Sequence, residues 1–521
     1  MGKQKKMRKP DITYGNIYLS GILRAFIVAL LVLAQIVFIF SLSLAMTKYT
    51  IFFYFLLEIA SLIVIITLVN GNSATSFKVG WISIILIMPI TGHILYVLWG
   101  SNTNKKENNK INAKFKTAYK YMKDEKKAKE AFNTEYPLLK RTSDYLSSEK
   151  LPLYKNNSFE YFPMGEKVFE AMLEDIKNAE KFILIEFFIV AEGTLWNRFH
   201  EALLEKVNEG VEVKFLYDDF GSMFRTNKYF KMDLEDEGFE VRVFNPIHKY
   251  LDKLYFNYRS HQKILVIDGN IGYTGGINIA DEYANICRRF GKWKDTAVRI
   301  EGEAVWGLST TFLQMWDISG DDSTIDYRKY MPSKKFKENN SFCHIISDGP
   351  ANNPDNPIEN LYRLMMNGAQ KFLYITTPYL IIEENMINEL VVAASSGVDV
   401  RIITPFIPDK KTVKLLTNYN YGKLLKAGVK IYEYKPGFIH AKTIINDMSA
   451  VVGSINMDYR SFYLHYEIGA WMCDKKIVNT IKQDFLKTID ESIEITYEDW
   501  LNRPLHIKLI QPIINLFQTL L

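Results

Sequence analysis

Long apolar runs separated by short polar breaks fill the first hundred residues. They extend over 25–46, 50–69 and 79–99, and each is about long enough to cross roughly 30 Å of hydrocarbon. A basic stretch precedes the first run, but that run is longer than the core of a usual signal peptide. The pattern therefore predicts an uncleaved membrane anchor of two to three segments within residues 1–100, and so a multi-pass protein of the cell membrane.

The third apolar run carries Pro89 and Gly92 near its centre. A proline at bilayer depth leaves a backbone carbonyl that needs another partner. We favour an ordinary span kinked at the proline, with a re-entrant hairpin as the alternative. Residues 101–150 are lysine-rich and are predicted to form a basic linker that faces anionic headgroups. The catalytic part is expected to fold from about Tyr145 onward.

From residue 151 onward, apolar runs of strand length alternate with amphipathic helical patterns. The order then recurs: "AEKFILIEFFI" from Ala179 matches "AQKFLYITTPYL" from Ala369, and "EGVEVKFLYDD" matches "SGVDVRIITPF". This repetition predicts two pseudo-symmetric halves, 151–335 and 336–521, each a mixed α/β sheet flanked by helices. The apolar stripe of 506–521 is expected to pack on the core, with bilayer contact as the alternative.

Composition narrows the class of protein without identifying it. Hydrophobic residues make up 48% and aromatic residues 14% of 521 residues, which is too polar for a chain that lies mostly in the membrane. The net charge of +5 is small, so the charge balance of the whole chain says little about partners. Three cysteines with no CxxC spacing argue against a disulfide framework or a zinc site.

Two copies of His-x-Lys-x-x-x-x-Asp carry the candidate chemistry. "HQKILVIDGNIGYTGGIN" covers 261–278, and "HAKTIINDMSAVVGSIN" covers 440–456. The candidate residues are the signature positions and the small and amide residues after them: His261, Lys263, Asp268, Gly276, Asn278, His440, Lys442, Asp447, Ser454 and Asn456. Alternation along an extended chain puts histidine and lysine on one face, where both reach one phosphate. Since one copy supplies one imidazole, the two halves are expected to build a single site.

These residue types suit the cleavage of a phosphodiester. Lysine neutralises the phosphate charge, asparagine donates hydrogen bonds to its oxygens, and the small residues let the backbone approach. A neutral imidazole can attack phosphorus and form a phosphohistidine, while a second imidazole donates a proton to the leaving alkoxide. Asp268 and Asp447 lie at strand ends and are expected to fix the turn and the lysine surroundings. His465 is near the second signature and is a lesser candidate for substrate contact.

The paired signatures resemble those of the phospholipase D superfamily over roughly residues 150–521. "YRSHQKILVIDGNIGYTGGINIADEY", "FIHAKTIINDMSAVVGSINMDYRSFYLHYEIGAW" and the N-terminal "IMPITGHILYVLWG" are similar to bacterial cardiolipin synthases. The resemblance implies that two phosphatidylglycerols give cardiolipin and glycerol, without nucleotide or metal. It also implies that His261 is the nucleophile, that Glu467 supports His261, and that Asp295 supports His440, each carboxylate fixing an imidazole tautomer.

Other activities on a phosphodiester stay open at this point. A hydrolytic phospholipase D would use water in place of the second lipid, and another phosphatidyltransferase would use an alcohol such as serine. A membrane-tethered nuclease is a more distant alternative, because lysines also bind nucleic-acid phosphates. The lysine-rich stretch lacks interleaved stacking aromatics, and the anchor favours a lipid. The expected partners are phosphatidylglycerol and anionic membrane lipids, not nucleic acid.

Overall fold

The computed structural model describes residues 48–100, 105–246, 258–320, 325–351 and 356–520, with a few isolated residues between 29 and 37. The apolar run predicted over 25–46 therefore lies almost wholly outside the described residues. In the described part, six α-helices precede the sheets: α1 (Lys48–Asn70), α2 (Thr75–Ile87), α3 (Pro89–Leu95), α4 (Lys105–Ala118), α5 (Lys126–Glu135) and α6 (Lys140–Ser148). Within these residues one helix, over Phe52–Asn70, is long and apolar enough to cross a membrane.

The third apolar run forms a sharp reversal, so the favoured interpretation of a single kinked span was wrong. Helix α2 ends before Met88, and α3 begins at Pro89. A Cβ on Gly92 would lie 2.8 Å from the carbonyl oxygen of Ile84. Residues eight apart in a continuous helix are about 12 Å apart along its axis. The chain therefore folds back at Met88, because proline cannot continue the hydrogen-bond ladder and Gly92 permits close approach.

Helices α4–α6 lie in the stretch 101–150 that was predicted to form a basic linker, and they pack against both halves. Phe115 and Phe132 are buried in clusters that include residues of the sheets. Gln314 donates to the Phe115 carbonyl at 3.2 Å, and Ser143 bonds His344 at 2.9 Å. The prediction failed to detect this packing because the segment is rich in lysine. Its few apolar residues fall on one helical face and pack inward.

The first half forms a seven-stranded sheet. The strands in the sequence of this half are β1 (Leu153–Tyr154), β2 (Asn157–Phe162), β3 (Phe182–Phe187), β4 (Glu212–Asp218), β5 (Glu240–Phe244), β6 (Arg259–Ser260), β7 (Lys263–Ile267), β8 (Ile271–Gly275) and β9 (Ala297–Gly302). Of these, β1 and β6 pair with strands of the second half and are not part of the seven-stranded sheet. Its helices are α7 (Gly165–Lys177), α8 (Thr194–Asn208), α9 (Asp219–Ser222), α10 (Phe230–Asp236) and α11 (Val305–Ile318). The strand order is β2-β9-β8-β7-β3-β4-β5, with β3, β4 and β5 parallel and the other pairs antiparallel.

The second half repeats this arrangement. Its strands are β10 (Phe342–Asp348), β11 (Phe372–Thr376), β12 (Leu380–Ile381), β13 (Asp399–Pro405), β14 (Lys430–Tyr434), β15 (Thr443–Asn446), β16 (Ala450–Gly453), β17 (Met457–Asp458), β18 (His465–Cys473) and β19 (Ser492–Ile495). Its helices are α12 (Pro357–Gly368), α13 (Glu384–Ser395), α14 (Lys411–Lys426), α15 (Tyr459–Tyr463), α16 (Lys475–Asp490), α17 (Tyr497–Leu501) and α18 (Leu505–Leu516). The path β10-β18-β16-β15-β11-β13-β14 has the order and directions of the first sheet, and β1 and β19 extend it.

The two sheets share one core. A single buried cluster contains Leu184 and Ile264 of the first sheet together with Ile445 and Ile468 of the second. Nearly every residue of α11 is buried, and its Gly307 lies against Ile345 of β10. This shared core fixes the halves relative to each other, so groups from both halves can be held at one site.

Helix α18 presents its apolar side outward, which corrects the expectation that this stripe packs on the core. Leu505, Leu509 and Ile513 are exposed, Leu509 at 64%. The polar Gln511 is instead buried and donates to the Leu415 carbonyl at 2.9 Å. Helical spacing tells which residues share a face, but not which face meets the protein.

Candidate active site

Backbone hydrogen bonds tie the residues around each signature histidine to the opposite half. Strand β6 pairs in parallel with the start of β18, and the His261 amide donates to the Tyr466 carbonyl at 2.9 Å. On the other side Lys294 pairs in parallel with Ile439, and the His440 amide donates to the Lys294 carbonyl at 2.7 Å. These bridges place each imidazole beside a carboxylate of the opposite half.

Both imidazoles hydrogen-bond to a fully buried carboxylate. His261 Nδ1 lies 2.9 Å and 3.1 Å from the two oxygens of Glu467. His440 Nδ1 lies 2.6 Å from Asp295 Oδ2. These are the two pairs that the resemblance implied. A neutral imidazole held in this way carries its proton on Nδ1 and leaves the lone pair of Nε2 free.

The supporting carboxylates are themselves held in different ways. Ser454 donates to Glu467, and Ser461 donates to the other oxygen of Glu467 at 2.6 Å. Gly276, at the position equivalent to Ser454, packs directly on Asp295, since a Cβ there would lie 2.1 Å from Asp295 Oδ1. Gly276 and Ser454 were predicted to contact substrate through the backbone. In the structure the Ser454 hydroxyl bonds Glu467 and the Gly276 backbone packs against Asp295, so each residue helps to orient an imidazole.

Both signature lysines are buried beside the histidines. Each ammonium donates to the carbonyl of the histidine two residues earlier. Burial lowers the pKa of Lys263 to about 7 and that of Lys442 to about 8, although the charges of Glu467 and Asp295 oppose the shift. An ammonium in such a site is poorly solvated and gains from a nearby anion.

Burial favours the neutral form of both signature imidazoles. Burial lowers the pKa of His261 and of His440 well below the usual value, and the charges of Lys263 and Lys442 add to this effect. Burial also raises the pKa of Asp295 to about 6. A phosphate between the halves would offset the lysine charges and so raise the affinity of an imidazole for a proton.

Three side chains near the site have the donor atoms of a metal centre. Atoms of His261, His465 and Glu467 lie within 4.8 Å of one another. Two ammonium groups act on the same imidazole, however, and their field opposes a divalent cation. The charge of this site suits an anionic substrate.

Family comparison agrees with this geometry. Residues 172–316 and 362–489 match the family described as cardiolipin synthase, PLD-like domain. Residues 59–101 match the family described as phospholipase D-nuclease N-terminal. A cardiolipin synthase of Listeria monocytogenes serotype 4a is 35% identical over 86% of this chain and 94% of its own. The chain belongs to the cardiolipin synthase family.

Further relatives and a solved structure extend the comparison. Cardiolipin synthase 1 of Staphylococcus aureus (strain COL) is 34% identical over 90% of this chain and 96% of its own length. An uncharacterized protein of Streptococcus mutans serotype c is 39% identical over 88% of this chain and 99% of its own. The crystal structure of phosphatidylserine synthase from Haemophilus influenzae superposes with a TM-score of 0.57 at 16% identity, covering 73% of this chain and 99% of that one. This structural likeness shows the same fold.

The two predicted asparagines differ in their surroundings. Asn278 accepts from the Ile189 amide at 3.0 Å and donates to the Tyr283 hydroxyl at 2.8 Å, so its side chain holds the loop after β3. Asn456 is buried, and its Oδ1 has no hydrogen-bond partner among the described residues. Asn456 therefore keeps free capacity for a further contact, whereas the amide of Asn278 is already engaged.

The carboxylates of the two signature aspartates bond backbone amides at strand starts. Asp268 accepts from the backbone amides of 180, 181 and 182, at the start of β3. Asp447 accepts in the same way from the amides of 370, 371 and 372. Each sits at the end of its strand opposite the lysine, so each fixes the turn, as expected, but not the lysine surroundings.

Three residues near the signature histidines were not predicted from the sequence, or were predicted only as lesser candidates. Ser461 orients Glu467, and only its place beside the second signature could have suggested it. The His465 ring lies 5.5 Å from that of His261, and its Nδ1 is 3.7 Å from Glu467 Oε1. Glu186 is buried, bonds Ser260, and has a pKa raised by burial to about 8. No sequence motif indicates Glu186, because it lies within the otherwise apolar strand β3.

Proposed function

We propose that the protein is a cardiolipin synthase that transfers a phosphatidyl group between two phosphatidylglycerols and releases glycerol. The observation that carries the proposal is the pair of imidazoles, each held by a carboxylate of the opposite half beside a buried lysine. Membership of the cardiolipin synthase family supports the same reaction. Each half supplies one histidine, one lysine and one carboxylate.

In the first step, Nε2 of His261 attacks the phosphorus of the donor lipid. The bond from phosphorus to the glycerol headgroup oxygen breaks, and a protonated His440 gives its proton to that oxygen. Glycerol leaves, and a phosphatidyl group remains on His261. Lys263 and Lys442 offset the charge on the phosphate oxygens as the transition state forms.

In the second step, neutral His440 takes a proton from the glycerol hydroxyl of another phosphatidylglycerol. The oxygen of that hydroxyl attacks phosphorus, and the bond to His261 breaks. Cardiolipin forms and both imidazoles return to their starting states. Water in place of the second lipid would give phosphatidic acid, which is the hydrolytic alternative left open by the sequence.

We infer that the protein works at the cell membrane through a multi-pass N-terminal anchor over residues 1–100. Helix α1 supplies one segment of sufficient length and apolar character, and the reversal at Met88 supports a second, re-entrant one. The proposed division is an anchor over 1–100, a basic linker over 101–150 whose helices pack on the halves, and catalytic halves over 151–335 and 336–521. Phosphatidylglycerol and the anionic membrane surface are the partners that this arrangement fits, rather than nucleic acid.

The experiment is to trap the covalent intermediate. Full-length His440→Asn, incubated with phosphatidylglycerol, should form a phosphatidyl group on His261 slowly, because the proton donor of the first step is missing. The group should then persist, because the proton acceptor of the second step is missing as well. Intact-protein mass spectrometry and peptide mapping would detect it. His261→Asn should show no adduct and almost no cardiolipin.

A matched control is His200→Asn, since His200 pairs with Glu237 away from the site. This variant should turn over like the unaltered protein. An adduct on His440 in the His261→Asn variant would reverse the two roles. Formation of cardiolipin by either signature variant at the unaltered rate would contradict the two-histidine mechanism.

A further inference from the structure

The proposed transfer brings two phosphate anions to one site. The donor lipid places its phosphorus between the histidines, where Lys263 and Lys442 meet its charge. The acceptor phosphatidylglycerol keeps its own phosphodiester, and that anion lies only a few bonds from the attacking hydroxyl. A second cation close to the histidines, but outside the signature, is therefore expected. This inference rests on the proposed function.

Arg460 occupies a suitable position in α15, between the second signature and Glu467. Asp458 caps this helix by accepting from the Ser461 amide at 2.8 Å, and Ser461 donates to Glu467 at 2.6 Å. Arg460 therefore lies in the same helix as Ser461, whose hydroxyl orients Glu467, the carboxylate that holds His261. Its charge also lowers the pKa of His465, after the larger effects of burial and of the Glu467 hydrogen bond.

The guanidinium of Arg460 is partly buried, and the described residues offer it no carboxylate within 4.0 Å and no hydrogen bond. Burial lowers the pKa of Arg460; the charge of Asp458 opposes this and that of Arg259 adds to it. Arginines in such positions are usually paired, because a half-desolvated cation without a partner is costly. A partly buried guanidinium that has no carboxylate partner in the described residues is suited to bind an anion from outside the protein.

Helix α15 also faces the membrane-associated part of the chain. It contacts the C-terminal turn Gln518–Leu520, and Gly80 of α2 lies against the Leu516 carbonyl just before that turn. Ser76, in the first turn of α2, donates to Glu383 of the second half. Arg460 is therefore carried by a helix that adjoins the C-terminal turn and, through it, the apolar helix α2, where a second lipid is expected to arrive.

We propose that Arg460 binds the phosphodiester of the acceptor phosphatidylglycerol and so selects a lipid acceptor over an uncharged alcohol. A guanidinium can hold two phosphate oxygens in parallel, which orients the headgroup as well as attracting it. The acceptor hydroxyl is then delivered toward the phosphohistidine. The donor lipid does not need this contact.

The test compares two acceptors on the same full-length protein. Arg460→Gln and Arg460→Lys are assayed on phosphatidylglycerol in mixed micelles, with and without butanol as an uncharged acceptor. In Arg460→Gln, cardiolipin formation should fall about ten- to hundredfold, in line with one lost charge-assisted contact. Formation of phosphatidylbutanol should stay within about twofold of the unaltered protein, and Arg460→Lys should recover part of the cardiolipin rate.

Arg198→Gln is the matched control, because Arg198 forms a surface ion pair with Glu170. It should leave both products unchanged. An equal fall of cardiolipin and phosphatidylbutanol in Arg460→Gln would place the arginine on the donor or in the chemistry and overturn the proposal. Unchanged cardiolipin formation would overturn it as well. If the unaltered protein makes neither product, the proposed function fails rather than this inference.

Discussion

The buried lysines control the charge of the site at the scale of single residues. Each ammonium is held by a backbone carbonyl beside a histidine, and burial brings the two pKa values to about 7 and about 8. At neutral pH the site therefore stays close to the point where a lysine can lose its charge. A bound phosphate favours the ammonium form and restores both charges during the reaction.

The pH dependence of kcat/KM follows from these values. Loss of the Lys263 and Lys442 charges in the free protein should lower kcat/KM as the pH rises through about 7 to about 8. Protonation of Asp295 should lower it as the pH falls through about 6. The basic limb of kcat should lie at higher pH, because the substrate anion raises both lysine pKa values. Initial rates from about pH 5 to about pH 10 would measure this, and a kcat/KM that stays flat on the basic side would contradict it.

Gly276 offers a second prediction at this scale. In Gly276→Ala the new Cβ would lie 2.1 Å from Asp295 Oδ1, so the carboxylate must move and His440 loses its orientation. We expect kcat to fall on the order of a hundredfold with little change in KM, as for other misplaced catalytic groups. Gly368→Ala is the control, because no heavy atom lies within 4 Å of its added Cβ. An unchanged kcat in Gly276→Ala would show that Asp295 does not orient His440.

At the scale of elements, short segments outside the two repeated sheets complete the fold. Strand β6 has two residues, yet it ties the first signature to β18 of the other half. Helices α4–α6 similarly contact both halves, through bonds from Gln314 to Phe115 and between Ser143 and His344. These elements have weak sequence signals, but they connect the two sheets.

Truncation tests the part played by α4–α6. A chain beginning at Lys105 keeps Phe115 and Phe132 in their clusters and should unfold like the full chain. The sequence had predicted folding from about Tyr145 onward, but a chain beginning there loses both rings. Loss of a buried phenylalanine costs about 3–5 kcal/mol in other cores. The shorter chain should unfold at a much lower denaturant concentration or fail to fold. Equal midpoints for the two chains, measured by circular dichroism in detergent, would contradict the packing described here.

At the scale of the whole molecule, two similar halves build one site, and the proposed anchor would place that site at a membrane. A phosphohistidine that water reaches freely would be hydrolysed to phosphatidic acid. Holding the site at a leaflet raises the local concentration of lipid hydroxyls relative to a detached protein. Under the proposed function, we therefore expect selection of a lipid over water to depend on the anchor as well as on the residues of the site.

The products formed with and without the anchor test this role. The full-length protein in phosphatidylglycerol vesicles is compared with the chain beginning at Lys105, at matched protein concentration. The ratio of cardiolipin to phosphatidic acid should fall on the order of tenfold when the anchor is removed. Full-length His261→Asn supplies the background for both products. An unchanged ratio would mean that the catalytic halves exclude water by themselves.

The duplication and its chemistry were readable in the sequence, because they depend on local order. The strand and helix periods recur along the chain, and each His-x-Lys pair lies on one face of one strand. These features need no knowledge of how the halves meet. The two matched strand paths confirm the predicted pair of mixed sheets.

What the tertiary structure decided are the contacts between distant parts of the chain. His261 and Glu467 are 206 residues apart, and His440 and Asp295 are 145 apart. Only family resemblance, not local pattern, had suggested these pairs. The outward turn of the α18 apolar face, the burial of α4–α6 and the neighbours of Arg460 had no local signal either. Each depends on which surfaces the two sheets leave free after they share a core, and a one-dimensional pattern of polar and apolar residues does not contain that information.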